Sequence, residues 1–427
     1  MAAALAGPLA LARRLLGGEL ARGSAVNLAF AVGNAALAFV ASVFAGNALG
    51  PAGVGVLALG LFVLDLAGML DNMGSAGFMR DYAAAEDPVK LATIFRLKVA
   101  LGVGTAALMV VIAPLLAPAL KIPAQLLLVF ALVPITSILS TLATMVHESR
   151  RRPWRRCAPG TAEAAVKAAL FGGFWLTLGI RGDVLAYAWA AVGASVVGAL
   201  VGALLLPRPR PELAQRDLRD AYLEFGLQAQ AAQFLQKLLF WIDILLIDVL
   251  LNSHYQQGLY RTAYSVMAFV PLFAGTVAVF LFPAISEASH LGNTARVREL
   301  LRRSFETVLV IALPMTAAAI LLARPALRLF GPEFVAADWI LRALAVIALL
   351  PSLLVPFQAL FPALGKPGVL LRISAAMLAA NAALDLLLIP QWGVAGALVA
   401  ATATFALGLV LSVVAARRLG VLGGPPA

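Results

Sequence analysis

Apolar stretches of about twenty residues recur along this sequence from end to end, and that recurrence constrains its fold more than any other feature. A helix rising about 1.5 Å per residue needs roughly 20 apolar residues to cross a hydrocarbon core of about 30 Å. Twelve runs meet that need, at residues 24–46, 53–70, 99–116, 126–145, 161–179, 184–206, 222–250, 259–282, 307–322, 340–361, 369–388 and 394–416. Inside hydrocarbon every backbone N–H and C=O must be satisfied within the protein, which makes helices the form for such runs. Hydrophobic residues are 62% of the chain and charged ones 12%, against roughly 45–50% and 25% in soluble domains. Water cannot accommodate that much apolar surface; a bilayer can. The sequence predicts an all-α polytopic membrane protein with about 12 transmembrane helices.

A formal net charge of +11 resembles a nucleic-acid signal only until the basic residues are placed. The N-terminus, the loops after even-numbered runs and the C-terminus carry about 24 of the 32 Lys and Arg, among them Arg150, Arg151, Arg152, Arg155 and Arg156. The loops after odd-numbered runs carry Lys121, Arg181, Arg324 and Arg328, and the runs themselves Lys167, Lys237, Arg261 and Arg342. By the positive-inside rule this bias places both termini in the cytoplasm. The basic loops are then topology signals that meet anionic lipid heads, and no nucleic acid is expected. The N-terminal stretch has arginines but no small-residue cleavage site, so the first span is expected to serve as the targeting signal. The single Cys157 excludes an intramolecular disulfide or Cys-based metal cluster, and His147, His254 and His290 show no ligand spacing. No cofactor or metal is expected.

The charged, proline-rich linker at 207–221 divides the runs into six and six. It predicts two six-helix lobes, 1–220 and 221–427, around a central cavity. Each half opens alike: Asn47-Ala48-Leu49-Gly50-Pro51-Ala52-Gly53-Val54-Gly55-Val56 after the first run, and Leu251-Asn252-Ser253-His254-Tyr255-Gln256-Gln257-Gly258-Leu259-Tyr260 after the seventh. Internal repeats with a site at their interface are common among secondary transporters.

Ionisable residues inside a membrane cost roughly 2.5–3.5 kcal/mol each unless paired or wet. In the seventh run Gln230, Gln233, Lys237 and Asp248 fall within an arc of about 60° at roughly 100° per residue. Such a stripe lines a hydrated cavity, with Lys237 as an anion contact, or else supplies interhelical hydrogen bonds. Arg261 either binds a phosphate in the cavity or snorkels to the interface. Asn27 and Asn34 share a face of the first helix and are candidate substrate contacts. Asp65, Asp243 and Asp248 are candidates for ion coupling, or for capping polar contacts between helices. Arg342 with Asp338, and Lys167 with Glu163, stand one helical turn apart and read as self-neutralising pairs. Pro114, Pro134, Pro271, Pro314, Pro351 and Pro356 permit kinks in or beside spans.

Several stretches taken in order resemble the polysaccharide (O-antigen type) flippases of the multidrug/oligosaccharidyl-lipid/polysaccharide exporter superfamily. They are Leu49-Gly50-Pro51-Ala52-Gly53-Val54-Gly55-Val56; Asp243 followed by Gly258-Leu259-Tyr260-Arg261-Thr262-Ala263; and Phe282-Pro283-Ala284-Ile285-Ser286-Glu287. Next come Leu329-Phe330-Gly331-Pro332-Glu333-Phe334, then Asn381-Ala382-Ala383-Leu384-Asp385-Leu386-Leu387-Leu388-Ile389-Pro390 and Gly393-Val394-Ala395-Gly396-Ala397. The chain departs from that family's pattern at Asp385, where an asparagine is common, and at Ile244, where a basic residue often follows the aspartate. The resemblance implies a two-lobed, V-shaped bundle that moves lipid-linked oligosaccharides across the inner membrane, with membrane lipids and other polysaccharide-assembly proteins as partners.

The chemistry of a polyprenyl-pyrophosphate glycan fits this expectation. Its anionic head needs a wet, cationic lumen, and exporting negative charge from a negative interior is downhill by roughly 2.3 kcal/mol per charge per 100 mV. No phosphate-binding loop of the G-x-x-x-x-G-K-[ST] type is present. A cation-coupled multidrug exporter of the same superfamily is the alternative, and would favour an acidic, aromatic-lined cavity. A glycan polymerase or ligase would need catalytic residues on a large outward loop, and the longest, near 323–339, has a thin polar set; no enzyme is expected.

Overall fold

The twelve apolar runs coincide with helical backbone in the computed structural model, which describes residues 19–84, 86–150 and 152–422. Some side chains inside helices, those of Gln230 and Gln233 included, lie outside the described residues. The first two runs form one element, α1 (Glu19–Asp71), which turns at Gly50. Gly50 has φ 66° and ψ 178°, a conformation that a Cβ would disfavour, and Pro51 behind it has no N–H to continue the first limb. The matching hinge of the second half uses Asn252, at φ 52°. Asparagine is among the few other residues that enter the left-handed region readily.

α1 is followed by α2 (Ser75–Ala84), α3 (Pro88–Ala119), α4 (Ala124–Phe130), α5 (Val133–Thr136), α6 (Ile138–Ser149), α7 (Pro153–Leu176) and α8 (Val184–Leu205). The second half comprises α9 (Arg216–Leu251), α10 (His254–Met267), α11 (Phe269–His290), α12 (Thr294–Leu321), α13 (Ala323–Arg328), α14 (Asp338–Ile347), α15 (Leu349–Ala363), α16 (Pro367–Trp392) and α17 (Val394–Arg418). Helix starts carry side-chain caps where the sequence supplies them. Asp87 accepts from Val89 N at 2.8 Å, Asp183 from Leu185 N at 3.0 Å, and Asn293 from Arg296 N at 2.9 Å.

Proline decides where the spans break. A helical proline ring clashes with the carbonyl four residues earlier. Helix α4 ends at Phe130, four before Pro134; α10 ends at Met267, four before Pro271; α14 ends at Ile347, four before Pro351. Pro114, Pro314 and Pro356 stay inside continuous helices. Among the described residues seven helices are long and apolar enough to cross a membrane, or eight if Ala124–Thr136 and Ile138–Ser149, bent by 40°, form one span. Helices α7 and α9 fall outside that set because charged residues interrupt them: Glu163 and Lys167 in one, Lys237, Asp243 and Asp248 in the other. Large apolar side chains such as Val111, Leu115, Leu204 and Leu321 are exposed, as expected of a surface that meets lipid. The protein is a helical, multi-pass membrane protein.

Two compact units divide the chain at Phe234/Leu235, inside α9. The break follows the linker of 207–221 because the first turns of α9 pack into the first unit. Tyr222 is buried edge-on to Phe78 at 6.2 Å, and Gly226 lies so close to the turn before α2 that a Cβ would sit 2.2 Å from Gly74 N. In this unit α7 packs between α1 and α8. Glycines make close crossings possible: a Cβ at Gly202 would lie 2.6 Å from Leu139 O, and one at Gly172 2.8 Å from the Phe44 ring. In the second unit α16 and α17 form an antiparallel pair around Gly393, and α11 packs on α12 and α15. Its core includes Ile285, Leu301, Phe357, Leu360 and Phe361.

Candidate functional site

A dense buried polar cluster with an adjoining cavity lies in the second unit. Asp243 sits on α9 between Trp241 and Ile244, both buried. Its Oδ2 accepts from the Tyr260 hydroxyl of α10 at 2.9 Å, and its Oδ1 from Asn381 Nδ2 of α16 at 2.5 Å. The same Asn381 amide donates to Asp385 Oδ2 at 2.8 Å. Asn381 and Asp385 meet because they stand one turn apart on α16. One amide therefore bridges two carboxyl groups, and Asp385 is fully buried. Burial opposes two unscreened negative charges so close together, so the pair calls for a proton or a cation between its members.

Two buried oxygens here have no hydrogen-bond partner: Asp385 Oδ1 and Thr404 Oγ1. Gly408 on Met377, and Gly396 on Leu388, fix the register of α16 against α17 and bring Thr404 level with Asn381. Asp243, Tyr260 and Asn381 line a cavity of about 220 Å³. Its wall continues with Gln236, Phe240, Tyr264, Phe357, Gln358 and Phe405. Phe240 and Tyr264 meet edge to face at 4.7 Å, holding α9 on α10. The arrangement offers oxygen ligands at one end and an aromatic, mixed-polarity wall beside them.

The sequence-predicted residues distribute as follows. Asp243 enters the cluster. Asp248 is buried but separate, paired with His254 Nδ1 at 2.6 Å. Arg261 is half-buried with its guanidinium 5.2 Å from the Trp241 ring centre, a cation–π contact. Lys237 is exposed, and the face that α9 turns to the cavity carries Gln236, Leu239, Phe240 and Asp243 instead. In the first unit Asn27 Oδ1 accepts from Arg156 Nη1 at 3.2 Å. The buried Asn34 Oδ1 has no hydrogen-bond partner, and Asp65 is half-buried on α1. The Arg342–Asp338 pair forms at 2.9 Å and Lys167–Glu163 at 3.5 Å.

Sequence reasoning did not select Asn381 or Asp385 as site residues, although two polar residues four apart in an apolar run were a readable signal. It also missed Lys98, placed at the edge of the third run. Lys98 is fully buried, donating to Asp71 O at 2.7 Å and Asn72 Oδ1 at 3.0 Å, with the Asp71 carboxylate 4.0 Å away. Nothing local distinguished it from the other basic residues at that end.

Comparison with known proteins agrees with the geometry. A family model described as "Polysaccharide biosynthesis protein" matches residues 48–336. The "probable low-salt glycan biosynthesis flippase" Agl15 of Haloferax volcanii is 28% identical over 172 residues, 40% of this chain. The match spans 36% of that relative's length. Among solved structures, an inward-facing multidrug resistance MATE family transporter of the MOP superfamily superposes with a TM-score of 0.77 at 14% identity. That match covers 93% of this chain and 98% of the transporter. The lipid II flippase MurJ, inward closed, superposes with a TM-score of 0.74 at 13% identity over 91% of this chain and 87% of its own. The chain belongs to the polysaccharide biosynthesis protein family and has the fold of MOP-superfamily transporters.

Proposed function

We propose that the protein is a flippase that carries a lipid-linked oligosaccharide, a polyprenyl-pyrophosphate glycan, across the cytoplasmic membrane by alternating access between its two lobes, 1–220 and 221–427. The observation that carries this reading is the family match over residues 48–336 on a transporter fold. The relative Agl15 bears the name of a glycan biosynthesis flippase, which supports the substrate class. Chemistry on the substrate is not required of such a protein. Lys237 and Arg261 are the proposed phosphate contacts, with Gln230, Gln233, Asn27 and Asn34 as further substrate contacts. The Asp243–Asn381–Asp385 cluster is the proposed seat of a coupling proton or monovalent cation. Asp65 and Asp248 remain further candidates for ion coupling. Both termini face the cytoplasm of the inner membrane, and polysaccharide-assembly enzymes are the proposed neighbours.

The test is reconstitution of the full chain in vesicles with a fluorescent lipid-linked oligosaccharide, read by quenching of label that reaches the other leaflet. Wild type should flip it, and Lys237→Ala, still inserted and folded, should flip it at a small fraction of that rate. Vesicles in which wild type moves no label would refute the flippase reading; full transport by Lys237→Ala would remove that residue from the site.

A second reading, a cation-coupled multidrug exporter, is favoured by one observation. The cavity of the second unit is acidic and aromatic, with Asp243 beside Phe240, Tyr260, Tyr264 and Phe405. It predicts efflux of cationic drugs from cells that express the protein, whereas the flippase reading predicts none.

A further inference from the structure

One face of α7 is charged where the reading above gives it no role. Arg156, Gly160, Glu163 and Lys167 recur at intervals of four, three and four, within an arc of about 60° at 100° per residue. Packing fixes their depth. Helix α7 runs beside the first limb of α1, with Asn27 at Arg156 and Phe44 at Gly172. Lys167 is thereby level with residues near 38 of the span Ala29–Asp71. On the other side a Cβ at Gly198 would lie 3.2 Å from Glu163 Cβ and 3.3 Å from its Oε2. Gly198 is seven residues inside the end of the span Val184–Leu205. The missing side chain there makes room for the glutamate.

The pair therefore lies well inside the membrane, yet the side chains of Lys167 and Glu163 are 33% and 27% exposed. Arg156, nearer the end of α7, is 33% exposed and ion-paired with Glu148 at 3.1 Å. Charge cannot face hydrocarbon at that depth without large cost, so this face meets water. At Gly160, between Arg156 and Glu163, a Cβ would have nothing within 4 Å. The face is open as well as charged. Lys167 carries three donors, and its ion-pair distance to Glu163 is 3.5 Å, longer than a charge-assisted hydrogen bond. Capacity remains for a stronger acceptor.

We propose that the Arg156–Gly160–Glu163–Lys167 face of α7 is a phosphate-binding track for the transported lipid, on which Glu163 holds Lys167 between loads. A phosphate displaces the carboxylate from Lys167 on arrival, and the carboxylate displaces the phosphate on departure. The ligand class rests on the flippase reading; the placement of the site rests on α7 alone.

The test uses the full chain in nanodiscs and a sugar-free polyprenyl diphosphate as probe, with the neutral polyprenol of equal length as control. Flipping of a lipid-linked oligosaccharide in vesicles is measured in parallel. Lys167→Gln should bind the diphosphate about tenfold or more weakly, and Lys167→Arg should restore most of it. Glu163→Gln should bind about two- to fivefold tighter, the range set by a partly exposed ion pair, and flip more slowly. Gly160→Leu fills open space without removing a charge, so it should lower flipping without lowering the thermal midpoint, which a helical glycine replaced by leucine should if anything raise. Should Lys167→Gln fail to fold, Gly160→Leu and Glu163→Gln decide the matter.

Wild-type flipping by Gly160→Leu and unchanged affinity in Glu163→Gln would overturn the track while leaving the flippase reading intact. Equal affinity for polyprenol and its diphosphate would overturn phosphate recognition on this face. No flipping by wild type would take the broader reading down with it.

Discussion

Two buried carboxyl groups joined by one amide place Asn381 at the centre of the polar cluster in the second unit. Asn381→Ala leaves Asp243 and Asp385 buried with one shared partner fewer, and an unsatisfied buried charge-bearing group costs about 1–3 kcal/mol or more. We expect that variant to unfold at lower temperature and to lose transport. Asp385→Asn keeps the shape and removes one ionisable group; it should stay folded and show a weaker dependence of transport on the driving ion. An unchanged ion dependence, measured by varying proton and sodium gradients across vesicles, would remove Asp385 from coupling. Lys98 poses the complementary case. Lys98→Ala strands Asp71, whose Oδ1 already has no hydrogen-bond partner, and breaking a buried ion pair costs about 3–5 kcal/mol. Adding Asp71→Asn to Lys98→Met should recover much of that loss in a thermal-shift assay.

At the scale of elements, glycines and prolines carry the argument. Gly202 and Gly396 let helices approach to backbone contact, and a Cβ at Gly396 would lie 2.4 Å from Leu388 O. Gly396→Ala should therefore destabilise by about 1–3 kcal/mol through overpacking. Gly104, inside α3 with nothing within 4 Å of a Cβ, should instead gain about 0.5–1 kcal/mol on change to alanine. Thermal midpoints of the two variants in one detergent compare these opposite signs. The broken spans make a second prediction. Pro351→Ala restores the N–H that α15 lacks and removes the clash with Ile347, so α14 and α15 should join into a straighter helix. Spin labels at both ends of the pair would report a longer separation if proline causes the break.

Membrane topology belongs to the scale of the whole molecule. The positive-inside rule orders every loop at once. A Cys157→Ser background with single cysteines at Gly292, Lys366 and Gly420 should react with an impermeant maleimide only after the cells are opened. Cysteines at Lys121, Gly182 and Glu333 should react in intact cells. The reverse pattern would invert the orientation and with it the direction of transport.

Much of this was legible in the sequence because hydrocarbon imposes a length, a composition and a loop-charge rule that a single chain must obey. Those constraints predicted helices at all twelve runs, the turn at Gly50-Pro51 and the neutralised pairs Arg342–Asp338 and Lys167–Glu163. They act within one segment or across one turn, so local reading is enough. Partners distant along the chain were another matter. Asp243 meets Asn381 across 138 residues, and Lys98 finds Asp71 across 27. Which face α9 turns inward differs from the arc drawn through Lys237 and Asp248 by about one helical position, or 100°. Helical periodicity shows which residues share a face; only packing against α10 and α16 selected the face that is buried. The sequence determined a membrane-spanning helical chain, and tertiary structure decided which of its few polar side chains stand together.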